Sequence, residues 1–140
     1  MAQYTVITGD FIGSRKYENF NKILKDKLRK IEYPENMLTP FSLSRGDEIQ
    51  AIFQGKLNFP AFIRQVRYIF RPMEIRFGIG FGKINDINDI KNISDSWTLN
   101  GPAFHYARES LELLENSKKF KTRFMSNNQI DEAINTILFL

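Results

Sequence analysis

Three carboxylates and one turn carry most of the chemistry this sequence could perform. Asp10 lies near the end of an apolar, β-branched run, "QYTVITGDF" (3–11), and Asp47 and Glu48 stand side by side in "FSLSRGDEIQAIF" (41–53), between two stretches that each read as a strand. A two-residue Asn-Gly or Asp-Gly turn would close such a hairpin, so adjacent acids at its tip call for a second reason. Carboxylates held together raise each other's pKa unless a cation compensates them. Hard divalent cations take such oxygen ligands, and Mg²⁺ commonly uses one or two carboxylates plus substrate phosphates and water. Asp10 and Asp47, with Glu48 as a third participant, are therefore the candidate metal ligands, and Mg²⁺ or Mn²⁺ is the expected ion. The plain alternative is a solvated acidic turn.

Immediately after Asp10 comes "FIGSRK", in which Gly13 and Ser14 precede a helical pattern. Backbone N–H groups at a helix N-terminus form a phosphate cradle, and Arg15 and Lys16 add positive charge beside it. The stretch Phe11, Ile12, Gly13, Ser14 and Arg15 thus contains a candidate phosphate-binding turn, within a few residues of a candidate metal ligand.

These side chains need elements to position them. A helix over 16–32 is predicted from the stripe Tyr17, Phe20, Leu24, Leu28 and Ile31. Pro34 ends that pattern, and the hairpin follows at 38–45 and 48–54. Phe59, Phe62, Ile63, Val66, Ile69 and Phe70 mark a second amphipathic helix, stopped near Pro72. "MEIRFGIGFG" (73–82) alternates strictly, with Met73, Ile75, Phe77, Ile79 and Phe81 on one side and Glu74, Arg76, Gly78, Gly80 and Gly82 on the other. A polar connection leads to Gly101-Pro102, placed as at a helix start, and to a third helix through Ala103, Ala107, Leu111 and Leu114. A fifth strand over 119–125 and a helix over 129–140 complete the reading.

The order β-α-β-β-α-β, then α-β-α, predicts an α+β, ferredoxin-like domain over residues 1–140. Its sheet is mostly antiparallel with helices on one face, and an αβα extension follows. In that topology the end of strand 1 lies beside the hairpin, bringing Asp10 to Asp47 and Glu48. The opposite face is expected to be open, and Gly78 and Gly80, lacking side chains there, are candidate ligand-binding positions. A glycine stripe equally admits a neighbouring element.

Composition narrows the classes. The 140 residues include thirteen Phe and no Cys, so disulfides and thiolate metal sites are excluded, and a reducing cytoplasm is the expected compartment. His105 is the one histidine, which excludes an imidazole cluster; in its helix it reads as a packing or surface residue. No stretch approaches the roughly 18 apolar residues a membrane span requires, so no membrane partner is expected. The net charge of +4 sits largely on the outer face of the helix 16–32. Such a face is ordinarily solvated, and nucleic acid is not expected as a partner of this domain alone. Trp97 reads as the cover of a pocket edge, and "NDINDIKNIS" (85–94) lacks the calcium-loop spacing.

"TGDFIGS" resembles the first metal-binding strand and phosphate turn of class III nucleotidyl cyclases. "SRGDEIQAIF" resembles their metal-binding hairpin and that of GGDEF diguanylate cyclases, and "IRFGIGFG" with "GPAFHYARESL" resembles their glycine-bearing strand and following helix. The combination of "VITGDFIGSR", "SLSRGDEIQ", "GIGFG" and "GPAFHYARESL" is similar to the SatD family of bacterial proteins, over about residues 3–115.

The resemblance implies a palm-like domain in which Asp10 and Asp47 match the metal-binding aspartates. Arg108 matches the arginine that steadies phosphates in the transition state and is the candidate catalytic residue. Phe104 stands where the cyclases carry an asparagine that orients the ribose. The implied chemistry is metal-assisted phosphoryl transfer on a nucleoside triphosphate of unassigned base, and a homodimer is compatible with it because class III cyclases build their sites across one. SatD-like proteins are described as stress-related or regulatory and tend to be longer, with a helix-turn-helix-like segment behind the palm; the ending "NTILFL" fits a cut before such a segment, or a helix docked on the core. Two readings follow: a metal-dependent nucleotide-binding domain of a regulatory protein, or an inactive palm serving as an interaction or dimerisation module of a transcriptional regulator.

Overall fold

The computed structural model describes residues 2–44, 47–85, 87, 96–117 and 119–139. The elements run β1 (Tyr4–Ile12), a 3₁₀ turn (Ser14–Lys16), α1 (Phe20–Leu28), β2 (Met37–Leu43), β3 (Glu48–Gln54), α2 (Phe59–Phe70) and β4 (Glu74–Gly82). A short 3₁₀ turn (Ser96–Thr98), α3 (Pro102–Glu115), β5 (Thr122–Met125) and α4 (Asp131–Phe139) follow. The five strands form one sheet in the order β2-β3-β1-β4-β5. β1 pairs antiparallel with both β3 and β4, and β5 joins β4 in parallel at the edge. The first four strands have the split βαβ arrangement that the sequence pattern predicts.

Alternation along the strands divides the sheet into two apolar faces. One presents Ile7 and Phe11 from β1, Ile49, Ala51 and Phe53 from β3, and Ile75, Phe77 and Ile79 from β4. Leu24 of α1 and Phe62, Ile63, Val66 and Phe70 of α2 close over it, the latter at helical spacing. Phe62 packs edge-on against Phe53 at 5.2 Å between ring centres and stacks on Phe41 at 6.0 Å. Burying a side chain of this size contributes about 1.5–3 kcal/mol, so this layer dominates folding.

The other face corrects the expectation of helices on one side only. Tyr4, Val6 and Ile52 pack there against Ala103 and Ala107 of α3. A methyl group on Gly78 would run into the carbonyl oxygen of Ala107 and stand 2.7 Å from the backbone nitrogen of Leu111. One on Gly80 would run into the carbonyl oxygen of Ala103 and stand 2.5 Å from the nitrogen of Ala107. The glycine stripe therefore admits a helix backbone, with the small residues Ala103, Ala107 and Ser110 completing the close approach. Gly78 and Gly80, expected on an open ligand surface, lie beneath α3.

α3 begins at Pro102 because Gly101, at φ 136, takes the turn before it, and Pro presets the first helical position. α1 begins four residues later than predicted. Gly13 is left-handed at φ 67, Ser14–Lys16 form one 3₁₀ turn, Tyr17 is extended and Asn19 is left-handed at φ 56 before helix geometry starts.

At the far edge, Arg67 of α2 donates to the carbonyls of Ile75 and Lys121 and to the Thr122 hydroxyl, joining β4 to β5. α4 then covers β5, where the Asn135 carboxamide accepts from the Phe124 backbone N–H at 2.7 Å and donates to its carbonyl at 2.9 Å. Arg45 and Gly46 at the hairpin tip, and all of 85–94 except Asn85 and Ile87, lie outside the described residues. Among the described residues no helix is long and apolar enough to cross a membrane.

Candidate functional site

Strand register builds the site. Asp10 stands opposite Glu48 on β3 and opposite Arg76 on β4, so the three form one row across the sheet. Directly opposed residues point to the same side, and this row points to the side that α3 covers. The next row inward is Gln50, Thr8 and Gly78, with the Thr8 hydroxyl donating to the Gln50 side chain at 3.2 Å. α3 brings Arg108, Glu112 and Glu115 over the polar row on one helix face, since they are spaced four and three residues apart.

Both acids of the row meet an arginine. Arg108 holds Glu48 with two hydrogen bonds, Nη1 to Oε1 at 2.6 Å and Nη2 to Oε2 at 3.2 Å. Arg76 Nη1 lies 3.5 Å from Asp10 Oδ2. The pairs are unequal. The Glu48 hydrogen bond raises the Arg108 pKa above its ordinary value, whereas burial pushes the Asp10 carboxyl up to about 6, against the opposing pull of Arg76. Glu115 and Asp47 raise it further, Glu115 both by its charge and by hydrogen bonding. Asp10 Oδ1 is buried and has no hydrogen-bond partner.

Asp47 is placed from the other side. The Ser14 hydroxyl donates to Asp47 Oδ2 at 2.9 Å, tying the turn after β1 to the start of β3. Ser14, Arg15, Tyr17, Asn19, Lys22 and Asp47 line one shallow depression. Arg15 and Lys22 bring positive charge to that depression and Asp47 brings negative charge.

A comparison with known protein families matches the SatD family over residues 4–139. The chain belongs to the SatD family. A search of the curated proteins found no match. Among solved structures, the diguanylate cyclase SiaD from Pseudomonas aeruginosa, crystallised in complex with its activator SiaC, superposes with a TM-score of 0.64 at 14% identity. The superposition covers 88% of this chain and 50% of that one, so the SatD-family chain spans about half the length of SiaD. At that identity the likeness shows a shared palm-like fold.

In this SatD-family domain the residues singled out by sequence divide into three groups. Asp10, Asp47, Glu48 and Arg108 gather at one end of the sheet, and Ser14 reaches them through Asp47. Phe11 and Ile12 belong to β1, with Phe11 buried in the core against Phe20 and Phe70, while Arg15 lines the depression beyond Asp47. Gly78 and Gly80 support α3 instead of a ligand. Among the described residues no three acidic or imidazole side chains stand close enough to form a ready metal cluster, and Glu48 is paired with Arg108. Sequence reasoning missed Arg76 and Glu115. Both signals were present: Arg76 alternates with the glycines on the α3 side of β4, and Glu115 lies two helical turns beyond Arg108.

Proposed function

We propose that this domain binds a nucleoside triphosphate together with Mg²⁺ or Mn²⁺ at the Asp10 end of the sheet, and that it serves a regulatory protein as its nucleotide-responsive part. The observation that carries the reading is Asp10 itself. Its side chain is mostly buried, crowded by Asp47 and Glu115, and has one fully buried oxygen without any partner. Burying an acid that is not fully paired is costly, and a divalent cation would offset that cost.

The donor set fits the ion. Asp10 and Asp47 supply the one or two carboxylates that Mg²⁺ accepts, leaving the remaining positions to phosphate oxygens and water. Bound there, the cation would supply Lewis-acid polarisation of a phosphoryl oxygen. Ser14 holds Asp47 in place, Arg15 and Lys22 attract the phosphate chain into the depression, and Arg108 is the guanidinium that would exchange Glu48 for a phosphate. Turnover is not part of this reading. Phe104, where the cyclases carry their ribose-orienting asparagine, is partly buried against the α3-side core.

Thermal unfolding with ATP, GTP and their deoxy and cyclic forms, each with Mg²⁺, with Mn²⁺ or with chelator, tests it. A ligand that binds only the folded state raises the melting temperature by mass action. The expected result is a rise that needs both a metal and one triphosphate. No rise with any pair refutes the reading and favours the second one, an interaction module, to which the activator complex of the SiaD neighbour gives independent support.

A further inference from the structure

On the α3 side of β5, away from the acidic row, Arg123 enters a depression walled by Leu113, Leu114 and Phe120 and bordered by α4. Its volume of about 400 Å³ is in the range of small-molecule pockets. The hydrogen-bonding groups of this lining can be accounted for one by one. Thr122 accepts from Arg67, the Asn135 carboxamide is spent on the Phe124 backbone, and the Thr136 hydroxyl donates to the Glu132 carbonyl. Ser117 Oγ accepts from the Phe120 N–H, which leaves its own hydrogen available.

Arg123 differs from these. Its Nε is sealed from solvent with no acceptor, and among the described residues no carboxylate pairs with it. Arg123 is otherwise partly exposed, and an N–H that has lost water without gaining an acceptor is an expensive group to keep. Its planar fork matches a carboxylate in two-point geometry, and the leucine and phenylalanine walls suit an apolar body attached to that carboxylate. Glu132 in the lining repels a second negative charge, which disfavours phosphate dianions.

We infer that the depression between α3, β5 and α4 is a second ligand site, for a small organic monocarboxylate with an apolar body, in which Arg123 takes the carboxylate and Ser117 donates a further hydrogen bond. The site is separate from the acidic row and does not depend on the nucleotide reading.

The experiment is a titration of the whole chain with acetate, butyrate, phenylacetate and inorganic phosphate, followed by the ¹H–¹⁵N resonances of the arginine Nε–H groups and of the backbone at 113–123. The expected result is a saturable shift of the Arg123 Nε–H signal, with affinity rising from acetate to phenylacetate. Arg123→Met, which keeps the length and apolar stem, should weaken phenylacetate by at least about tenfold, the scale of one charged hydrogen-bonded contact. Glu132→Gln should tighten it, an effect that damaged folding would not produce. Absence of a saturable shift with every carboxylate, equal binding by Arg123→Met, or a preference for phosphate would each overturn the assignment.

Discussion

Arg108 and Glu48 join the middle of α3 to the first residue of β3 through the two terminal nitrogens of one guanidinium, at 2.6 and 3.2 Å. Glu48 stands opposite Asp10 across the strands, and the two acids are held in separate charge pairs, with Arg108 and with Arg76. Arg108 thus has a second role besides the one its resemblance implies: it holds the hairpin under the helix.

That tether is measurable. Arg108 is 40% exposed and Glu48 26%, so solvent screens the pair, and a double-mutant cycle with Arg108→Met and Glu48→Gln should give a coupling of about 1 kcal/mol in urea unfolding. A coupling indistinguishable from zero would show that the bidentate geometry does not persist in solution.

Asp10 should set a pH profile of the opposite sign to an ordinary salt-bridged acid. Its folded pKa of about 6 lies above the ordinary 3.8, so the folded state binds the proton more tightly than the unfolded chain does. Its favourable contribution is complete below about 3.8 and is lost as pH rises to about 6, a change on the order of 3 kcal/mol. Asp10→Asn should flatten that part of the stability profile while abolishing any metal-dependent nucleotide shift. An unchanged profile in the variant would remove Asp10 as its source.

Arg76 opposes the rise at Asp10, so Arg76→Met should move the Asp10 carboxyl above about 6. Carbon-detected NMR titration of the side-chain carboxyl reads this directly, and a downward movement would contradict the pairing.

Gly80→Ala should be among the most damaging small substitutions in the chain. The added methyl group would push first against backbone, from Ala103 and Ala107, and also against Tyr106 Cβ, and the expected loss is about 2–4 kcal/mol by chemical denaturation. A neutral result would mean that α3 stands farther from the sheet than the structure has it.

Arg67→Met removes three hydrogen bonds and leaves the Ile75 and Lys121 carbonyls without that donor. The expected cost is about 2–4 kcal/mol, with hydrogen exchange at β5 accelerating before that of β1. Uniform acceleration across the sheet would indicate a global role instead.

The strand and helix order was legible because strict alternation in 73–82 and helical spacing in 59–70 leave little choice of period. The gathering of Asp10, Asp47 and Glu48 followed from topology alone, since β1 has to lie beside the β2-β3 hairpin in a split βαβ sheet. The covering of Gly78 and Gly80 was less legible: a missing side chain signals close approach but does not say what approaches. The answer lay in the helix, where Ala103, Ala107 and Ser110 repeat at spacings of four and three as a matching strip of small residues. Alternation along 73–82 gave the face of Arg76 but not its partner, which cross-strand register sets. The late start of α1 came from left-handed backbone at Gly13 and Asn19, where an apolar stripe read by eye runs straight through.

The Asn135 carboxamide on Phe124 has a consequence for how copies of this chain behave when concentrated. The outer edge of a sheet is a template on which another strand can grow, and unguarded edges are where fibrils and tangles begin. Here a helix occupies that template with a side chain that imitates the next strand's peptide group. The opposite edge, β2, carries exposed Pro40, which has no N–H to offer a newcomer. Side chains and one imino acid thus guard both borders, with the Tyr33 hydroxyl taking the Phe41 N–H of β2 and Asp131 taking the Ser126 N–H just past β5.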